Sequence, residues 1–195
     1  MGPRVYGDTG QAFPIYLTVV GGLLLLALAY FAVGQAAANR NGAQTAADAA
    51  ALAAALDTRD QLAGQWLKDL RDPEKWQAIF DGNVAVTPSC WRAYQLAEQN
   101  DAHAQCTPTG LLSYRVEVET NKAVGDSVIP GTESQHAKAT ANAVIEPLCG
   151  LPADGAQSDE LPRLACKDKE WELDPDAPAD RLPKPQDLFD VHLAD

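Results

Sequence analysis

The strongest pattern in the chain is an uncharged, apolar stretch close to its amino end. No charged side chain lies between Asp8 and Arg40, and segment 12–33 has the sequence AFPIYLTVVGGLLLLALAYFAV, interrupted only by Pro14 and Thr18. A helix rises about 1.5 Å per residue, so roughly 20 residues cross the hydrocarbon core of a bilayer. The pattern therefore predicts a transmembrane helix.

The helical pattern continues beyond the apolar stretch into a segment dominated by alanine. Alanine is the best helix former, and Pro14 suits the first turn of a helix, where its missing N–H costs nothing. We predict one helix from about Pro14 to about Leu56, extending toward Arg71 with a break near Thr58 or Gly64. Its second half is expected to project into water as a stalk.

Alternating apolar and polar positions later in the chain predict strands. The clearest is 114–120, YRVEVET, with Tyr114, Val116 and Val118 facing inward, and 137–145 is expected to pair with it as an antiparallel hairpin. A turn is predicted at Asp126–Glu133. Further short strands are predicted at 84–87, 171–173 and 188–193.

The segments between these strands have their own signatures. Segment 90–106 is a polar stretch with a helical pattern, 81–83 is a turn, and the proline-rich segment 175–185 is an extended connector. Large apolar residues after the stalk fall near helical spacing and are interpreted as core rather than as ligand contacts. They are Trp66, Leu67, Leu70, Trp76, Ile79 and Phe80.

Together the elements predict an α+β chain, in which a long transmembrane helix continues into a stalk and a small antiparallel sheet forms the head. We divide it into a short cytoplasmic leader at 1–10, the membrane helix with its stalk at 11–72, and a disulfide-containing domain at 73–195 with an acidic, proline-rich end.

The charge balance excludes some partners. The 195 residues carry 15 basic and 27 acidic side chains, a formal net charge of −12. Nucleic acid is a poor partner for such a chain, because its binding requires clustered Lys and Arg. The acidic residues concentrate after Cys149 and are interpreted as a solvated segment.

Four cysteines follow the membrane segment: Cys90, Cys106, Cys149 and Cys166. An even number is typical of an exported domain with two disulfides, so we expect the amino end in the cytoplasm and the head outside the cell membrane. Three pairings are possible, and we favour the local pairs Cys90–Cys106 and Cys149–Cys166. A zinc site that uses Cys90, His103 and Cys106 is the alternative, although the spacing is unusual for zinc.

Small residues recur along the predicted helix, and small residues allow two helices to approach closely. We interpret them as a surface that packs against copies of this helix or a related partner, although alanine could equally serve only to stabilise a solvated helix. Bulky replacements such as Ala47→Leu or Ala50→Phe are then expected to reduce assembly without unfolding the head. The residues are Gly21, Gly22, Ala43, Ala46, Ala47, Ala50 and Ala54.

Two sequence blocks carry a family resemblance. The leader DTGQA at 8–12, the apolar span, and AQTAADAAALAAA at 43–55 resemble the TadE/TadG-type proteins of tight-adherence (Flp-type) pilus systems. The resemblance covers roughly residues 8–56. It implies a pilin-like or pseudopilin-like membrane protein that takes part in assembling a pilus or a related envelope secretion apparatus, with the lipid bilayer and other Tad-type proteins, or copies of itself, as partners.

The resemblance also implies processing, in which a membrane peptidase cuts after Gly10 and leaves Gln11 as the new amino end. Such precursors usually carry a glutamate at the fifth position after the cut, where this chain has Ile15. Asp48 matches an aspartate of the family, and it is interpreted as a solvating charge or as a contact between packed helices.

The sequence offers no recognisable catalytic motif. It lacks the glycine-rich, phosphate-loop, HExxH and GxSxG signatures, and its three histidines stand apart. We expect no enzyme activity, cofactor or metal; loose calcium binding at 174–180 is the alternative for the acidic stretch. A membrane-tethered binding module with no role in filaments is the alternative function.

Overall fold

The computed structural model describes residues 12–123, 134–151, 163–178 and 181–194. The leader, the candidate processing residues Gly10 and Gln11, and the turn predicted at Asp126–Glu133 lie outside the described residues. The α+β plan predicted from the sequence is confirmed, because a long apolar amino-terminal helix is followed by an antiparallel sheet.

The first element, α1, is one continuous helix of 57 residues, Ala12–Lys68. At about 1.5 Å per residue it is roughly 85 Å long. The predicted break at Thr58 or Gly64 is absent. Side-chain bonds one turn apart support this part of the helix, since Gln61 donates to Asp57 at 2.9 Å and Gln65 donates to Asp69 at 2.6 Å.

A four-stranded antiparallel sheet has the order β1-β2-β3-β7, formed by β1 (Ala102–Gly110), β2 (Ser113–Ala123), β3 (His136–Pro147) and β7 (Phe189–Ala194). The predicted pairing of 114–120 with 137–145 is confirmed, with Val116 opposite Ala141. Tyr114, Val116 and Val118 are buried, so the inward-facing positions were also assigned correctly.

The alanine-rich half of α1 packs against this buried face of the sheet. Ala46, Ala47, Ala50 and Ala54 have no exposed surface and share one core cluster with Val116 and the inner residues of β3. The predicted stalk is therefore wrong, because this half of α1 is the central helix of the domain. Ala43 is the first fully buried residue of α1.

Shorter elements cover the rest of the core. A 3₁₀ turn (Pro73–Lys75) and α2 (Trp76–Phe80) follow α1, and α3 (Cys90–Gln99) packs against α1 and β1. A separate small sheet is formed by β4 (Cys149–Gly150), β5 (Leu164–Cys166) and β6 (Glu170–Trp171), and α4 (Pro185–Leu188) precedes β7.

Several local predictions need correction. Segment 84–87 is not a strand, the helix predicted over 90–106 ends at Gln99 and gives way to β1, and α4 interrupts the end of the expected extended connector. The turn at 81–83 is present, and Gly82 has φ +71° there, a conformation that favours glycine. A Cβ on Gly82 would lie 2.7 Å from a methyl carbon of Leu112.

Large apolar side chains after the alanine face close the far end of the core. The Trp66 and Trp76 ring centroids are 5.6 Å apart, and the same distance separates Phe80 from Phe189 of β7. The interpretation of this group as core is confirmed for every member except Leu67, which is 41% exposed.

Candidate functional site: a membrane helix continuous with the core

The first half of α1 is apolar and uncovered. Large side chains from Phe13 to Val33 project on all sides of the helix, and Tyr30 is 83% exposed. In water such a surface would be strongly unfavourable, whereas in a bilayer it contacts lipid. Among the described residues, α1 is the one helix long and apolar enough to cross a membrane. The chain is therefore anchored in a membrane by α1.

The junction between the lipid-facing and buried halves of α1 is short. Arg40 is the first charged residue after the span, and Ala43 is already fully buried in the domain. Only about 15 Å of helix separates Val33 from Ala43. The domain consequently lies close to the bilayer surface, and helix and domain form one continuous element without a linker.

The residues predicted to pack helices together divide between the two halves of α1. Ala43, Ala46, Ala47, Ala50 and Ala54 are buried by their own domain, so their side chains are not available to a second helix. Gly21 and Gly22 lie in the exposed half, and a Cβ added at either position would meet no atom within 4 Å. Of the seven residues predicted to pack helices together, these two glycines are the ones that lie in the exposed half of α1.

Ile15 and Asp48 are the other two residues singled out by the resemblance. Ile15 is 65% exposed in the first turns of α1, where a lipid-facing side chain is expected. Asp48 is half-buried in the domain part of the helix and accepts a 2.7 Å hydrogen bond from the Gln44 side-chain amide. In the structure this carboxylate is thus engaged within its own helix.

A buried chain of hydroxyl groups fastens α1 to the domain. Thr58 donates its one hydroxyl proton to Ser89 Oγ at 2.7 Å. Tyr114 is therefore the donor in the 2.7 Å bond between its own hydroxyl and Thr58 Oγ1. Gln61 extends the cluster by accepting a bond from the Thr87 N–H and donating to the Thr87 carbonyl oxygen. Sequence reasoning missed this cluster, because hydroxyl residues distant in the chain carry no recognisable spacing.

The two disulfides lie at opposite parts of the domain. Cys90 at the start of α3 is bonded to Cys106 in β1, and Cys149 in β4 is bonded to Cys166 in β5. These are the local pairs favoured from the sequence. The zinc alternative is wrong, because a disulfide leaves no thiolate to bind the metal at Cys90 and Cys106.

One charged cluster lies just beyond the end of α1. Lys75 Nζ is 3.0 Å from Asp69 Oδ1 and 2.9 Å from Asp72 Oδ2. Hydrogen bonds from Lys75 and Gln65 lower the pKa of the Asp69 carboxyl, and hydrogen bonds to Asp72 and Asp69 raise the pKa of Lys75. The cluster ties the end of α1 to the turn that follows it.

A second cluster lies on the outer surface of the sheet, where Glu146, Asp190 and His192 have their ligand atoms within 4.8 Å of one another. All three side chains are exposed, and His192 lies 3.1 Å from Asp190. Exposed side chains that already pair with each other are ordinary on a strand surface.

In the acidic segment, Asp174 accepts a bond from the Asp176 N–H, and Asp176 pairs with Arg71 at 2.6 Å.

Comparisons with known proteins bear on the amino-terminal half. No curated protein and no solved structure matches the chain. Residues 10–57 match a family model described as "Putative Flp pilus-assembly TadE/G-like". The match spans the membrane half of α1 and most of its alanine-rich half. It confirms the resemblance inferred from the sequence over this segment and supports a role associated with the Tad pilus.

Proposed function

We propose that this chain is a pilin-like structural protein, which takes part in building a Flp-type pilus or a related envelope secretion apparatus. The observation that carries the proposal is the continuity of α1, in which an exposed apolar half passes without a break into the core of a disulfide-bonded domain. Residues 10–57, which match the pilus-assembly family model, lie almost entirely within this helix.

The continuity is suited to assembly because one unbroken helix joins the anchor to the domain. A subunit that packs regularly against neighbours needs its anchor and domain to keep one relative orientation. A flexible linker would allow the domain to bind a ligand, but it would decouple the two parts. The exposed half of α1, with Gly21 and Gly22, supplies a surface for neighbouring transmembrane helices.

The same proposal places the amino end in the cytoplasm and the domain on the extracytoplasmic side, as a single-pass protein of the cell membrane. Two disulfides among four cysteines support this orientation, since disulfides persist in oxidising compartments. Cleavage after Gly10 remains part of the proposal, and sequencing the amino end of the membrane-purified protein tests it. Gln11 as first residue supports cleavage, and an intact Met1 contradicts it.

Replacing Phe13–Val33 with an unrelated transmembrane helix of equal length tests the structural role. We expect the hybrid to insert and fold but to fail in pilus assembly, because the specific helix surface is lost. Gly21→Leu with Gly22→Leu is the milder variant, and Leu24→Ala with Leu25→Ala is its matched control. Normal assembly by the hybrid would favour the alternative, a tethered binding module for which the helix is only an anchor.

A further inference from the structure

Three side chains of the types that bind metal ions come together on the outer surface of the sheet. Glu146 of β3 and Asp190 and His192 of β7 each offer one ligand atom, and these atoms lie within 4.8 Å of one another. Their neighbours Ile145 and Val191 pack on the core, so the alternation of each strand turns the three side chains away from it. We call these three residues the β3–β7 group.

The register of the two strands brings the group together. Glu146 lies directly opposite Asp190 in the β3–β7 pairing, and like charges opposite each other on adjacent strands are destabilising. His192 follows Asp190 by two residues on the same face, and its Nδ1 lies 3.1 Å from Asp190 Oδ2. A histidine paired with an aspartate is ordinary on a strand surface, but a second carboxylate that faces this pair is not.

A second histidine on the same face shows how a lysine neutralises a carboxylate in this sheet. His103 of β1 lies opposite Glu119 of β2, and Lys138 Nζ of β3 is 3.1 Å from Glu119 Oε2. In the β3–β7 group no lysine or arginine of the described residues forms an ion pair with either acid, and the imidazole is the one described partner. Two negative charges are left facing each other, and a divalent cation between them would neutralise both.

The ligand types of the β3–β7 group suit zinc. Zinc binds imidazole nitrogen and carboxylate oxygen at about 2.0–2.2 Å with four ligands, so two ligand atoms of one site lie roughly 3.4 Å apart. The separations here are 3.1 Å between His192 and Asp190 and at most 4.8 Å overall, and rotation of the exposed side chains brings them into this range. Water supplies the fourth ligand at such an exposed position.

We propose that Glu146, Asp190 and His192 bind one divalent metal ion of the zinc type, and that the ion fastens β7 to β3. In the described part of the chain, β7 is an edge strand that pairs with β3 alone. A metal ion held from both strands ties this edge to the rest of the sheet, because the energy of metal binding adds to that of folding. Since the group lies in the domain, its metal binding does not depend on the part that α1 plays in assembly.

Titration of Zn²⁺ into the full chain tests the site. The protein carries no affinity tag, is stripped of metal, and is held in nanodiscs of zwitterionic phospholipid, because anionic lipid surfaces attract cations. Isothermal titration calorimetry is expected to show a single saturable zinc site. An equal concentration of Mg²⁺ should not displace the zinc, because magnesium prefers oxygen ligands and gives up its water reluctantly.

Single substitutions identify the ligands. His192→Gln and Glu146→Gln each remove one ligand and keep a polar side chain, and each should weaken zinc binding at least about tenfold. His103→Gln is the matched control, because it removes an exposed histidine from the same face of the sheet, and it should leave the affinity unchanged. Without metal, Glu146→Gln should unfold at or above the temperature of the unmodified chain, because it relieves the repulsion of two carboxylates.

Hydrogen exchange separates fastening of the strand from binding alone. Zinc is expected to slow the exchange of the β7 amides several-fold, because local opening of the edge strand must then break the metal site. Exchange in α3, which packs on β1 at the opposite edge of the sheet, should stay unchanged. In His192→Gln the same zinc concentration should leave β7 exchange at its metal-free rate.

Each other outcome contradicts a stated part of the proposal. The absence of a saturable zinc site in the unmodified chain overturns it, and so does a site whose affinity neither His192→Gln nor Glu146→Gln lowers. An equal loss in His103→Gln overturns it as well, because zinc then binds any exposed histidine. A loss in His192→Gln without one in Glu146→Gln overturns the bridge between the strands, and binding without slower exchange in β7 overturns the fastening.

Discussion

The two halves of α1 have the same helical backbone but different surroundings, since the first half contacts lipid and the second packs inside the domain. From Phe13 to Val33 the helix carries large apolar side chains on every side, and all of them are exposed. From Ala43 onward one face is almost entirely alanine and fully buried, while the opposite face carries polar residues such as Gln44 and Asp60.

The difference follows from what each half must contact. Lipid chains adapt to any apolar shape, so bulky leucines are favourable all around the helix. A sheet is a fixed, closely packed surface, and small side chains are required for the helix axis to approach it. Substitutions that are equivalent in chemistry should consequently have unequal effects in the two halves.

The largest difference is expected for Ala50→Phe. A phenyl ring cannot fit between α1 and the sheet, so we expect a loss of about 3 kcal/mol in unfolding free energy, or failure to fold. The same change at Ala29, in the exposed half, should leave the unfolding free energy unchanged. Denaturant unfolding in detergent checks both. Because Ala50 is buried, we expect this variant to destabilise the domain. Equal stability of the two variants would instead support the expectation that bulky residues at these alanines spare the domain.

Removing a disulfide tests the domain half alone. Replacing Cys90 and Cys106 together by serine opens a loop with a sequence separation of 16. In the chain-entropy model this lowers stability by about 3 kcal/mol. Thermal unfolding should shift downward, whereas membrane insertion, assayed by carbonate extraction, should be unaffected. Release of the chain from membranes would show that anchoring depends on the folded domain.

Two threonines in α1 provide a finer comparison. Thr58→Val deprives the buried Tyr114 hydroxyl of its acceptor and should cost about 2 kcal/mol. Thr18→Val removes only a local bond from Thr18 Oγ1 to the Ile15 carbonyl oxygen in the exposed half and should cost almost nothing. Thr58→Ser should recover much of the loss. Equal effects of the two valine variants would show that the hydroxyl cluster does not fasten the helix.

The smallest effect on the unfolding free energy is expected from a change of pH, which acts on the charged cluster of Asp69 and Lys75 at the end of α1. Because the pKa of Asp69 is lowered in the folded chain, its stabilisation is present above the ordinary value of 3.8 and is lost as pH falls through the folded pKa. Lys75, whose pKa is raised, stabilises below its ordinary value of 10.5 and loses this effect as pH rises through the folded pKa. In Asp69→Asn the acid part of this dependence should diminish, which unfolding at several pH values measures. An unchanged acid profile would assign the dependence to other carboxylates.

The sequence predicted the parts of the fold that depend on local pattern. The apolar span, the β2–β3 pairing and the inward positions Tyr114, Val116 and Val118 were all readable, because period and side-chain type determine them within a few residues. Predictions failed where the pattern was short or mixed, as at 84–87 and at the point between Gln99 and Ala102 where α3 gives way to β1.

The amino-acid sequence by itself determined that this chain enters a membrane and that a helix continues beyond it, because hydrophobicity and alanine content act locally. Only the tertiary structure decided what the alanine face contacts. Small size suits a neighbouring helix and a covering sheet equally well, and only long-range pairing, with the bond from Tyr114 to Thr58, distinguishes them.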